Sequence, residues 1–110
     1  MLRKAHDLFG FTIEASDGEI GHVDDFYVDD ETWQVRYLVV DIGPWLFGRK
    51  VLITPDALAQ PRWEDKRLPV QLTKTQIEES PETDFDQPVS RQHEIDIHTH
   101  YGWSPYWMPF

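Results

Sequence analysis

The sequence predicts a mainly β fold, and three observations carry that prediction. Gly18 to Gly43 reads as two strands, about Ile20 to Asp29 and Trp33 to Ile42, joined by the polar turn Asp29-Asp30-Glu31-Thr32. In the second of these, Trp33, Val35 and Tyr37 alternate with Gln34 and Arg36, the two-residue period of a half-buried strand. Phe9 to Ala15 also alternates, with Phe9, Phe11, Ile13 and Ala15 on one face. The Asp17-Gly18 pair that follows supplies the positive φ of a tight hairpin, so the first two strands pair antiparallel.

In the second strand Val23 and Tyr27 fall on one face while Ile20, Phe26 and Val28 fall on the other. A bulge near Asp24-Asp25 reconciles them. Tyr37-Leu38-Val39-Val40 is apolar on both faces, so the outer face of this strand needs a cover. The expectation is that Val35, Tyr37 and Val39 fill the core. Leu38, Val40 and Ile42 then lie under a terminal segment or a second subunit.

Gly43 to Gly48 is an apolar loop carrying Trp45 and Phe47, and Arg49 to Thr54 is a fourth strand. Pro55 opens a short helical turn. Arg62-Trp63 and Arg67 to Leu72 form a second hairpin, in which Leu68, Val70 and Leu72 share a face and Pro69 marks a sheet edge or bulge. Thr73 and Gln76 have capping-box spacing, and Leu72 and Ile77 form a hydrophobic staple, so a short helix begins here and stops before Pro81.

The chain divides at residue 77 into a β domain, 1–77, and an acidic linker with an aromatic tail, 78–110, that packs on the domain or on a partner. From Val89 the tail reads either as a helix opening at Ser90 or as an alternating strand, with the Ser90 start favouring helix. Its end, Trp103 to Phe110, is aromatic enough to dock.

With 110 residues, 40% of them hydrophobic, the chain can build one core. A formal charge of -10 argues against a nucleic-acid partner and against an anionic membrane surface. No stretch approaches a membrane span, the N-terminus lacks a signal-peptide apolar region, and cysteine is absent. These features suit a cytoplasmic protein.

The residue types that bind metals gather only in the tail, where His93, His98 and His100 are candidate ligands. As a helix, however, it sets His93 and His100 roughly 10 Å apart, too far to share one ion without a third element. The acidic run Asp24, Asp25, Asp29, Asp30 and Glu31 lacks the alternate oxygens and glycine of a calcium loop. The serines sit in turns, caps or the tail without a nucleophile elbow, so no enzyme and no cofactor is expected.

Leu8-Phe9-Gly10, Asp17-Gly18-Glu19-Ile20-Gly21-His22-Val23-Asp24-Asp25, Val35 to Asp41 and Gly48 to Ile53 together resemble the PRC-barrel domain over about Leu2 to Ile77. That family includes the cytoplasmic barrel of the photosynthetic reaction centre H subunit and a domain of a ribosome-maturation protein. The continuation to Ser80-Pro81 is similar to stand-alone bacterial members. The resemblance implies a small, strongly bent antiparallel barrel of about six strands and an adaptor or assembly role, with no shared catalytic motif. The resulting expectation is a non-enzymatic, self-associating interaction module whose partner is another copy or another protein. Its interaction surface is Leu38, Val40, Ile42, Trp45, Phe47, Trp103, Tyr106 and Trp107. The alternative is a metal- or proton-responsive domain that uses the tail histidines.

Overall fold

The computed structural model describes residues 4–43, 49–83 and 88–107. Among these residues five strands form one sheet: β1 (Thr12–Ala15), β2 (Gly18–Val28), β3 (Val35–Asp41), β4 (Lys50–Ile53) and β5 (Arg67–Pro69). Two helices follow, α1 (Lys74–Glu78) and α2 (Arg91–Tyr101). The strand order is β4-β3-β2-β1-β5. The first three connections are antiparallel, whereas β5 lies parallel to β1. Among the described residues no helix is long and apolar enough to cross a membrane.

This corrects the six-stranded, wholly antiparallel expectation. The sheet is mixed, and β4 and β5 are its two edges rather than a closed seam. The expected second hairpin survives as isolated bridges, Arg62 with Arg67 and Leu58 with Val70. Pro61 and Pro69 have no N–H to donate, so a longer ladder cannot form there. Pro69 contributes only its carbonyl, which accepts from the Ala59 N–H at 2.9 Å.

Three bulges bend the sheet. Ile13 pairs with Gly21 but Glu14 with Glu19, which leaves Ile20 extra on β2. Val23 pairs with Val40 and Asp25 with Val39, which leaves Asp24 extra, where the bulge was expected. Tyr27 pairs with Tyr37 and Val28 with Val35, which leaves Arg36 extra on β3. The bulges at Ile20 and Asp24 together bring Ile20, Val23 and Phe26 to the inner side and leave Tyr27 on the outer.

Two apolar layers result. The inner core joins Phe11, Ile13, Val23, Leu38, Val40, Val51, Ile53, Leu68 and Ile77. The outer one joins Tyr37, Val39, Leu52 and Ile97, with Tyr101 and Trp103 against them. The facing of β3 is therefore the reverse of the expectation: Leu38 and Val40 fill the core, Ile42 packs beside it, and Tyr37 and Val39 face the tail. Alternation says which residues share a face but not which face is inside. Tyr37 decides the matter, because its buried hydroxyl needs hydrogen-bond partners that the apolar inner core lacks.

Phe9 also departs from its expected strand position. Gly10 takes a left-handed φ of 82°, β1 begins at Thr12, and Phe9 lies half-exposed against Phe26, ring centroids 5.3 Å apart.

Local signals were obeyed at both helices. The Thr73 hydroxyl accepts from the Gln76 N–H at 3.2 Å and the Gln76 side chain accepts from the Thr73 N–H at 2.8 Å. Leu72 and Ile77 are both buried. The Asp17 carboxylate, in the first hairpin turn, accepts from the Lys74 N–H at 2.8 Å and so ties the β1–β2 turn to the start of α1. For α2 the Ser90 hydroxyl accepts from the His93 N–H at 3.1 Å, and Gly102 ends the helix in the left-handed conformation, φ 74°. The tail is helix rather than strand through Tyr101.

Candidate functional site

Tyr37 sits mid-strand on the outer face of β3, and α2 crosses it. Glu94 and His98 are one helical turn apart, so both reach the same tyrosine. The Tyr37 hydroxyl donates to Glu94 Oε1 at 2.8 Å, and its oxygen lies 3.0 Å from His98 Nε2. The single phenolic proton goes to the carboxylate, so His98 Nε2–H is the donor to Tyr37. After Gly102 the chain turns back over the helix, and the Tyr106 hydroxyl donates to the same Glu94 oxygen at 2.5 Å. Glu94 and His98 are both buried.

This joint perturbs its titratable groups. Burial, followed by the hydrogen bond to Glu94 and then its charge, raises Tyr37 far above the ordinary phenol range. The same causes push Tyr106 up to about 12. Burial holds His98 below the usual imidazole value. Around the joint, the Arg36 guanidinium lies 4.1 Å above the Tyr106 ring, and Arg91 lies 4.2 Å from the Trp107 ring and 3.5 Å from Glu94 Oε2. Trp103 stacks on Tyr101, centroids 4.1 Å apart. A cleft of about 710 Å³ opens beside these groups, walled by Tyr27, Tyr37, Tyr106, Arg36 and Arg91.

The three tail histidines do not converge. His93 Nε2 meets the Thr83 hydroxyl at 2.8 Å, His98 faces Tyr37, and His100 Nε2 donates to the Gln76 carbonyl at 2.6 Å. Among the described residues no three His, Asp or Glu side chains stand together as a metal site. The metal expectation is corrected accordingly: helical spacing turns His98 away from the stripe of His93 and His100, and each ring has a local partner.

Of the expected interaction surface, Leu38 and Val40 are core residues and Ile42 is partly covered. Trp45 and Phe47 lie outside the described residues. Trp103, Tyr106 and Trp107 fold back on their own chain.

The β2–β3 turn presents a side chain whose exposure was not anticipated. The Asp29 carboxylate accepts from the Glu31 N–H at 2.9 Å and pairs with Arg36 at 3.2 Å, and the Trp33 N–H donates to the Asp29 carbonyl at 2.7 Å. The Glu31 hydrogen bond, ahead of Arg36, holds the Asp29 carboxyl below its usual range. Trp33, expected to begin a strand, sits instead on this braced turn with a left-handed φ of 61° and is 77% exposed. A bulky residue pays about 1–2 kcal/mol for that conformation, which glycine adopts freely. Trp33→Gly is therefore expected to raise unfolding stability by about 1 kcal/mol in urea titrations, net of glycine's extra backbone entropy. In a solution dilute enough for the chain to be monomeric, a loss of stability would show that the indole packs on its own chain.

A family model described as PRC-barrel domain matches residues 2–77, more than half of the chain. The chain belongs to the PRC-barrel domain family. No curated protein matches it. The PRC-barrel match ends within α1, so the helix, the buried carboxylate and the aromatic strap that cover the outer face of β3 all lie beyond it.

Proposed function

We propose that the chain is a non-enzymatic protein-interaction and assembly module that associates with itself, built from a PRC-type sheet whose outer face is closed by its own C-terminal strap. The observation carrying this reading is Trp33, a large apolar side chain held out on a hydrogen-bonded turn. Tryptophan is enriched where protein interfaces concentrate their binding energy, and the turn holds this one out in solvent in a strained conformation, where a partner can cover it. Light scattering over a range from the micromolar to about 1 mM tests the reading. The expected result is a mass that rises toward twice the monomer, and a monomer throughout would defeat it.

A second reading, proton response, is favoured by the His98 joint. From β3 His98 faces Tyr37, from its own helix Glu94 and Arg91, and from the strap Tyr106, Trp103 and Trp107. Its docked value is depressed by burial, so docking is strongest above the free imidazole value near ~6.5 and weakens as pH falls below it. Tyr37 and Tyr106 are raised, so docking weakens again as pH climbs past about 10. Tryptophan fluorescence followed from pH 8 to 5 should report loosening of the strap, and His98→Gln, which keeps a donor but does not titrate, should flatten that change. An identical profile in the variant would remove the proton-responsive reading.

A further inference from the structure

The Trp33 turn has a counterpart on the opposite type of surface. Ile95, Thr99, Trp103, Pro105 and Trp107 line an apolar groove of about 520 Å³ between α2 and the returning strap. Ile95 is 41% exposed there. Arg91 lies on the Trp107 ring that forms one wall, with half of its side chain in solvent. The turn carries the complementary charge, because Asp30 and Glu31 precede Trp33 and both are exposed on the wall of the larger cleft, while Asp29 is engaged by Arg36.

We infer that Trp33 of one copy seats in the α2–strap groove of a second copy, with Asp30 and Glu31 meeting Arg91. This rests on the self-association reading and names the two surfaces that make it. Shape and charge both select this occupant. The indole is a flat apolar body carried on a turn that its own hydrogen bonds hold rigid, so little conformational freedom is lost on docking. The groove offers apolar walls, and Arg91 stands beside it on the Trp107 ring. In a chain with 20 acidic and 10 basic residues, two copies repel unless an acidic surface meets one of the few cations. Trp33 does not fill the groove of its own chain, as its exposure shows. Each copy carries both halves of the contact, so a two-fold pair makes the contact twice and closes.

Sedimentation velocity on the full chain distinguishes the outcomes, using Trp33→Ala to remove the knob and Thr99→Arg to fill the groove. Both positions are exposed, so both variants should keep the circular dichroism and the melting midpoint that wild type shows at concentrations where it is monomeric. Each variant alone should dimerise at least tenfold more weakly than wild type. Mixed together they should recover a heterodimer, since Trp33 of the Thr99→Arg chain still finds the open groove of the Trp33→Ala chain. A wild-type chain that stays monomeric overturns the inference and the self-association reading together. A dimer that either substitution leaves unchanged, or two weakened variants that fail to complement when mixed, overturns the inference alone and leaves self-association standing.

Discussion

Gly21→Ala is expected to cost at least about 3 kcal/mol of folding stability, measured as a lowered urea midpoint with an unchanged slope. A β-carbon at Gly21 would stand 2.2 Å from the Asp41 carbonyl oxygen and 3.1 Å from the Ile42 Cα. Both are backbone atoms, so no rotamer change relieves the clash. Nor can the backbone retreat easily, since Asp41 is paired with His22 on one side and with Lys50 on the other. The need here is for space, in contrast to Gly18 next to the hairpin turn, where a φ of 141° requires glycine for conformation. The two glycines of the Asp17-Gly18-Glu19-Ile20-Gly21 hairpin are thus retained for different physical reasons. A cost under 1 kcal/mol would mean that the end of β3 shifts freely, and the close approach would lose its significance.

Ile97→Ala should cost about 2–4 kcal/mol, and its effect should be confined to the outer layer. Ile97 is fully buried and is the side chain through which α2 packs on Tyr37, Val39 and Leu52. Removing its outer carbons opens a cavity between strap and sheet that rigid strand residues cannot close. Hydrogen exchange should then accelerate across α2 while the paired amides of β2 and β3 remain protected, since the inner core is untouched. Equal acceleration in the strands would instead show that strap and sheet unfold as a single unit.

Local signals in the sequence were read correctly where the chemistry itself is local. The Thr73–Gln76 box, the Ser90 cap, Gly18 beside the first turn and the Asp24 bulge each depend on neighbours within a few residues or on a conflict of alternation, and all are present. Strand closure was not legible. Whether Arg62-Trp63 extends into a sixth strand depends on where β5 lands, and β5 lands parallel to β1. The candidate site was legible only in part. A tail covering an apolar face of β3 was anticipated, but the Tyr37, Glu94, His98 and Tyr106 joint was not. Glu94 and His98 are four apart and would share a face of any helix, yet nothing nearby in the chain says that a tyrosine 57 residues before Glu94 waits beneath them.

By itself, the sequence determined that this is a mainly β chain of the PRC-barrel family with an aromatic tail, because two-residue periodicity, turn chemistry and a family pattern over 2–77 are written residue by residue. Only the tertiary structure decided which face of β3 is inner, that Trp33 stands in solvent and that the three tail histidines part company. The physical reason is common to all three. Alternation and helical spacing are relative coordinates, and the choice between equivalent faces is made by distant groups: a phenol hydroxyl that needs a buried carboxylate, a turn braced by Asp29, and a helix rotated until Ile97 meets Leu52.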